Sequence, residues 1–161
     1  MARLQHDVKG VSPAVAATVT AFQLDAFARR YYECFNQRSF DEAEMFVDPR
    51  AVFTYPLAKE HLIGRAGYRE LARRWLAGFP DARITITAVH VLDDRTAATD
   101  WIGEGTHLGL LELPGLPPIP ATGVHTTLPM RETITITDGR ITGSRMDFEP
   151  AELARRLGLM L

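Results

Sequence analysis

The spacing of hydrophobic and polar residues changes along this chain, and the change falls near Ala82. Before it the apolar positions recur at helical intervals. Leu24, Phe27, Tyr31 and Cys34/Phe35 form one face of a helix. Ser12-Pro13 is a suitable start for it, with Ser as N-cap and Pro at the first helical position, and residues 1–12 read as a loose arm. Ser39 and Glu42 have capping-box spacing and predict a second short helix over roughly 40–46, ended by Asp48-Pro49. Ala51 to Tyr55 reads as a short strand stopped by Pro56. A third helix follows Gly64 and Gly67. Its apolar face is Tyr68, Leu71, Ala72, Trp75 and Phe79, and Pro80 closes it.

After Ala82 the pattern alternates. Arg83–Val91 and Thr96–Leu108 predict two strands joined by a turn at Asp93-Asp94. Gly103 and Gly105 interrupt the second and suggest a bend or bulge. Leu110–Gly123 is rich in Pro and Gly and reads as a long ordered loop, of the kind that serves as a lid or interface arm. His125–Ile136 and Ile141–Phe148 predict two more strands around an Asp138-Gly139 hairpin turn. Pro150 then starts a terminal helix that Gly158 stops. Helices followed by hairpin-linked strands make the class α+β. We place one domain at 19–161, preceded by an N-terminal arm at 1–18. A curved sheet with helices against it would enclose a pocket between the layers.

Composition narrows the function classes. The 161 residues suit one domain with a sizeable core, and 46% hydrophobic with 24% charged residues is ordinary for a globular chain. The formal net charge is -2 and no Lys/Arg run marks a nucleic-acid surface. The single cysteine, Cys34, excludes an intrachain disulfide and sits in a helical apolar pattern. No apolar run would span a membrane and no signal peptide is predicted, so the expected location is cytoplasmic. Histidine spacings such as HxH or HxxxH are absent, and no metal is expected.

The chemistry concentrates at the end of the last strand. Counting alternate residues from Ile141 puts Gly143, Arg145, Asp147 and Glu149 on the core-facing side. Counting from Ile134 and Ile136 puts Glu132 and Met130 there too. Glu132, Arg145 and Asp147 then meet in one interior. An apolar pocket raises a carboxylate's pKa and a neighbouring Arg lowers it, so the set is either an acid/base site or a satisfied ion-pair network. A β-bulge would shift the parity by one and turn the opposite face inward. Glu149 directly precedes Pro150 and also suits the start of the terminal helix electrostatically. Elsewhere, His107 faces either the cavity or the Pro-rich loop, His125 lines the mouth or an edge, His61 lies in an entrance loop, and His90 is a surface strand residue. Tyr31, Tyr32, Phe35, Tyr55, Trp75, Phe79 and Trp101 are core aromatics that also suit a planar ligand. Among them Tyr32 and Tyr55 are the better polar candidates, because a buried hydroxyl needs a partner.

Several segments in order carry a family resemblance: Phe79-Pro80-Asp81, Gly105-Thr106-His107-Leu108-Gly109, Pro120-Ala121-Thr122-Gly123, Asp138-Gly139-Arg140-Ile141, and Arg145 to Glu149 followed by Leu153 and Leu157-Gly158. Over about residues 20–160 the chain resembles the SnoaL-like polyketide cyclases and predicted ester cyclases of the nuclear-transport-factor-2-like fold. The resemblance implies an α+β barrel, a cone-shaped curved antiparallel sheet packed with N-terminal helices around an apolar cavity, and no cofactor. It implies cofactor-independent acid/base chemistry on a hydrophobic, polyketide-like carbonyl compound, of cyclase or isomerase type. Non-catalytic small-molecule binding and epoxide-hydrolase-like chemistry, with Arg145 bridging a carboxylate pair, are the alternatives within the fold. In the cyclases an Asp near the end of the last strand is the acid/base, and gapless counting puts Glu149 there, with Asp147 the other choice. On this reading Arg145 holds the acid ionised or stabilises an enolate, and His107 or Tyr55 donates to the oxyanion. Tyr32, Tyr55, Trp75, Trp101, His125, Met130 and Glu132 bind substrate. The expected partners are a hydrophobic small molecule and, through the outer sheet face, a second copy of the chain.

Overall fold

The change of period near Ala82 becomes a division into layers. The computed structural model describes the backbone of residues 13–159 and side chains from residue 21 to 159. The predicted arm at 1–12 and the Ser12 cap lie outside these residues. In chain order the elements are α1 (Pro13–Asn36), α2 (Phe40–Met45), β1 (Val47–Thr54), β2 (Leu62–Ile63), α3 (Gly64–Gly78), β3 (Arg83–Val91), β4 (Thr96–Thr106), β5 (His125–Thr137), β6 (Arg140–Asp147) and α4 (Pro150–Arg156). Residues 13–18, assigned to the arm by sequence, are the first turns of α1. Ser39 heads α2 without a side-chain cap bond; Glu42 is drawn instead to Arg30 of α1.

The six strands form one curved sheet in the order β2-β1-β6-β5-β4-β3. Two expectations are corrected here. The sheet is not a closed barrel: β2 has only two residues, and the free edge of β3 is met by a side chain rather than a strand. Asn36 at the end of α1 donates to the Ile84 carbonyl and accepts from the Ile84 amide, both at 2.8 Å, which blunts that edge. The sheet is also not wholly antiparallel, because β1 runs parallel to β6. The helices α1 and α3 pack on β3–β4 and on β1–β2 respectively, and the core lies between them and the sheet.

One irregularity decides the orientation of the last strand. Thr135 pairs with Gly143, but Ile136 pairs with Ile141, so Thr142 is an extra residue on β6. Ile141 is buried, and beyond the bulge the buried residues are Ser144, Met146 and Phe148. Arg145, Asp147 and Glu149 therefore face outward, against the parity counted from Ile141, and only the bulge alternative describes them. By contrast β4 pairs with β5 without a break from Thr96 to Thr106, so Gly103 and Gly105 mark no bulge. The bulge in β3 lies between Ile86 and Ala88. Asp138 and Gly139 both have positive φ (51° and 74°), the requirement of a type I′ hairpin.

The Pro-rich segment is an anchored strap. His107 and Val124 close its base (2.9 Å), and Leu111 and Ile119 bridge its middle. The Leu108 and Gly109 amides donate to the Gly78 carbonyl at the end of α3. A Cβ on Gly109 would lie 2.0 Å from the Ala77 carbonyl oxygen, so only glycine permits this approach.

Candidate active site

Between the helices and the sheet lies a cavity of about 90 Å³. The alternation that makes α1 and α3 amphipathic supplies one wall, with Tyr31 and Tyr32 from α1 and Tyr68, Leu71 and Trp75 from α3. The inward residues of β4 and β5 supply the other, with Trp101, Met130 and Glu132. The exposed residues of the lining, Arg83 and Glu104, mark the side that opens to solvent.

Glu132 is the only ionisable carboxylate buried in this core among the described residues, with 2% of its surface exposed. Ser144 Oγ donates to its Oε1 at 2.5 Å. Burial pushes the Glu132 carboxyl above the ordinary glutamate range, and the Ser144 and Tyr32 hydroxyls pull it partly back. The acidity is set by the apolar surroundings because no Arg or Lys among the described residues pairs with it. Around it, Tyr31, Tyr32, Tyr55 and Tyr68 are all held as phenols, first by burial and then by the Glu132 charge. The Tyr32 hydroxyl lies close to Thr99 and to Glu132, yet neither it nor the Thr99 hydroxyl makes a hydrogen bond of good geometry among the described residues. Tyr55 Oη, Trp75 Nε1 and Trp101 Nε1 are likewise buried without a partner among the described residues. Donors without a partner among the described residues thus lie in and beside the cavity that holds one raised acid. An unmade buried hydrogen bond costs about 1–3 kcal/mol, so a site rich in them is suited to receive ligand oxygens.

Of the residues chosen by sequence, the structure brings Tyr32, Trp75, Trp101, Met130 and Glu132 into the cavity wall. Tyr55 stands just behind, near Trp75; burial pushes its phenol pKa up, and the indole offsets only part of that rise. The catalytic set is dispersed. Arg145 and Asp147 pair at 3.0 Å on the outer sheet face with 68% and 47% of their side chains exposed. Glu149 is exposed at the head of α4, without a cap bond. Asp147 and Glu149 line a broad outer groove with Arg131 and Asp100, on the far side of the sheet from Glu132. The Arg-bridged pair of carboxylates is therefore outside the cavity.

His107 is fully buried but belongs to the strap. Its Nδ1 accepts the Thr122 amide at 3.3 Å, which places the ring proton on Nε2, and its ring stacks on Phe79 at 5.1 Å. Burial lowers its pKa, so it serves as a neutral anchor. His125 stands on the rim, bonded to Glu104 (2.9 Å) and to Thr106 (2.9 Å), and Thr106 donates in turn to Asp81. His90 pairs with Asp100 on the outer face, and His61 is exposed. No group of three or more His, Cys, Asp or Glu among the described residues is placed to hold a metal ion. No helix among them is long and apolar enough to cross a membrane.

Three contributors escaped the sequence argument. Thr99 follows from the alternation of Ala97, Thr99 and Trp101, and Tyr68 from the apolar face of α3, so both signals were present. Ser144 is one residue out of the counted phase, and only the bulge at Thr142 reveals it.

The sequence profile of the SnoaL-like domain matches residues 28–144. Among curated proteins none matches. Solved structures are similar at low identity. A proposed SnoaL-like polyketide cyclase from Jannaschia sp. CCS1 superposes with a TM-score of 0.74 at 14% identity, covering 95% of this chain and 99% of that one. A SnoaL-like polyketide cyclase from Agrobacterium tumefaciens gives 0.65 at 21%, covering 84% and 98%. A proposed hydroxylase from Streptomyces galilaeus gives 0.67 at 18%, covering 86% and 97%. Cyclase and hydroxylase names on one fold mean that the likeness fixes the architecture and the reaction has to be argued from the site.

Proposed function

The chain belongs to the SnoaL-like domain family, and from that premise we propose that it is a cofactor-independent acid/base enzyme acting on a hydrophobic, polyketide-like carbonyl compound, of cyclase or isomerase type. The observation that carries this reading is Glu132, a buried carboxyl with a raised pKa in an apolar, aromatic cavity with unspent hydroxyl and indole donors. In its ionised form Glu132 removes a proton from the carbon next to the carbonyl. The electron pair moves to the carbonyl oxygen, and Tyr32 Oη donates a hydrogen bond to the enolate so formed. Glu132, now protonated, returns the proton at another position or to the alkoxide of a new carbon–carbon bond. Burial raises the phenol pKa of Tyr32, so it remains a donor throughout. Met130, Trp101 and Trp75 orient the apolar body.

This assigns to Glu132 the role that the family resemblance implies for position 149. The test is exchange of the carbon-bound proton in deuterated water, followed by NMR on a panel of aryl 1,3-diketones. Wild type should exchange, and Glu132→Gln should lose at least about a thousandfold. Equal rates in the two proteins would sink the assignment. A homodimer through the outer sheet face remains part of the proposal, and analytical ultracentrifugation tests it.

A further inference from the structure

The open side of the cavity carries positive charge that no carboxylate among the described residues balances. Arg83 is the only Arg or Lys that lines the cavity. Its cross-strand neighbour Glu104 is the natural counter-charge, but Glu104 is bonded to His125 at 2.9 Å and makes no ion pair with Arg83. Asp81, two residues before Arg83, is engaged as well: its oxygens accept from the Thr106 amide (2.7 Å) and the Thr106 hydroxyl (2.9 Å). Arg38 brings a second cation to the same place. It follows α1 in the left-handed region (φ 57°), where glycine is the ordinary choice. Its guanidinium lies over the Phe35 ring (5.0 Å) and donates to the Phe35, Pro80 and Ala82 carbonyls at 2.9, 3.2 and 2.7 Å. Those bonds tie the end of α1 to the turn before β3, and they leave the Nε proton and one Nη1 proton uncommitted. After burial, the nearby Arg83 charge is the next cause that lowers the Arg38 pKa, so the two cations feel each other. Phe35, Ala82 and Arg83 all line the cavity, which places both cations at its mouth.

We propose that this pair of arginines binds an anion: Arg83 holds a carboxylate of the ligand at the mouth, with Arg38 behind it, while the apolar part of the ligand enters the cavity. The substrate is then a carbonyl compound that carries a carboxylate remote from the reacting carbon. This rests on the reading of the cavity as the ligand site. Two like charges held together without a counter-charge attract an anion, and a guanidinium meets a carboxylate with paired donors. The arrangement also fixes which end of the ligand enters, because Glu132, when ionised, repels a second carboxylate from the interior.

The probes are butanoate and 1-butanol, which share a four-carbon chain. A chain this short is used because the cavity of about 90 Å³ is smaller than the roughly 150 Å³ one that holds benzene. Each is titrated by NMR at neutral pH and low salt against wild type, Arg83→Gln, Arg83→Lys, Glu104→Gln and Ala72→Leu. Wild type should bind butanoate at least about threefold tighter than 1-butanol, and the preference should fade at high salt. Arg83→Gln should abolish the preference while 1-butanol binding and the melting temperature stay unchanged, and Arg83→Lys should keep part of it. Glu104→Gln removes a competing carboxylate and should tighten butanoate; weakening there counts against Arg83 as the anion's partner. Ala72→Leu, which fills the cavity from α3, should weaken both probes. Equal affinity of the two probes for wild type, or a preference that survives in Arg83→Gln, overturns the anion site. The cavity reading then stands if Ala72→Leu still weakens 1-butanol, and otherwise falls with it. Butanoate binding that needs Arg83 but is indifferent to Ala72→Leu, with no binding of 1-butanol, overturns the cavity reading and leaves the anion site alone. No binding of either probe to wild type overturns both.

Discussion

The two faces of one sheet carry the same kind of residue under opposite conditions. Inside, Glu132 has no cationic partner among the described residues, one short bond from Ser144, and a raised pKa set by burial. Outside, one strand away, Asp147 is paired with Arg145 and half exposed, and Asp100 is gripped by Arg131 and His90 and pulled down to about 2. Exposed ion pairs keep their acids ionised and contribute little to stability or chemistry. A carboxyl without a counter-charge in an apolar cavity is costly to the fold, and it is poised to exchange its proton. Carboxylates alone are thus poor markers of a site; the counter-charge and the solvent around them decide.

That division depends on the register of β6 beyond the bulge, so shifting it is the most severe test. Inserting one Ala between Gly143 and Ser144 would move the rest of the strand by one residue, driving Arg145 and Asp147 toward the core and Ser144 out of it. The expected loss exceeds about 4 kcal/mol, read as failure to give a cooperative unfolding transition. A folded protein with wild-type stability would mean that the register of β6 does not fix the two faces.

The second test contrasts the faces by activity. Asp147→Asn and Glu149→Gln should leave turnover of any substrate found for the wild type within about threefold, while Glu132→Gln removes it. The pH profile of kcat/KM should rise through a limb above the ordinary glutamate pKa if Glu132 acts as base, and this limb should vanish in Glu132→Gln. Loss of activity in the outer variants would return the site to the strand end.

Much of this molecule was legible in its sequence because periodicity reports burial directly. The face of α3 from Tyr68 to Phe79, the β5 alternation through Met130, Glu132 and Ile134, and the Asp138-Gly139 turn all appear in the structure, and the SnoaL-like fold was readable from ordered short motifs. The orientation of β6 was not legible. A bulge adds one residue without changing composition, and Ile141-Thr142-Gly143 carries no mark to show it. The parallel pairing of β1 with β6 joins segments nearly a hundred residues apart and leaves no local trace. His107 illustrates a further limit. Its burial was within reach of the sequence, but its Thr122 and Phe79 partners come from a loop and a helix end that only the fold brings together.

The third test separates function from stability at Glu132. Its folded pKa is raised, so between the unfolded and folded pKa values the native state holds the extra proton. Stability therefore falls as pH rises through that window and is fully retained below the unfolded value. Glu132→Gln has no such dependence. It should melt a few degrees higher than wild type at neutral pH, with the difference closing on acidification below about pH 4. A variant less stable than wild type at neutral pH would show that the carboxylate is held by contacts rather than strained by burial.

The smallest effects distinguish a positioning contact from a decorative one. Ser144→Ala removes the one hydrogen bond of good geometry to Glu132, at a cost of about 1–2 kcal/mol by chemical denaturation. The hydroxyl favours the ionised form, so its loss should move the kcat/KM limb to still higher pH, and Ser144→Thr should restore part of it. Arg145→Ala, on the other face, breaks a pair whose side chains are 68% and 47% exposed. It should cost no more than about 0.5 kcal/mol, fade further in high salt, and leave the pH limb where it is. The two variants change adjacent residues of β6 and each removes one partner of a carboxylate, and only the inward one should be felt by the proton on Glu132.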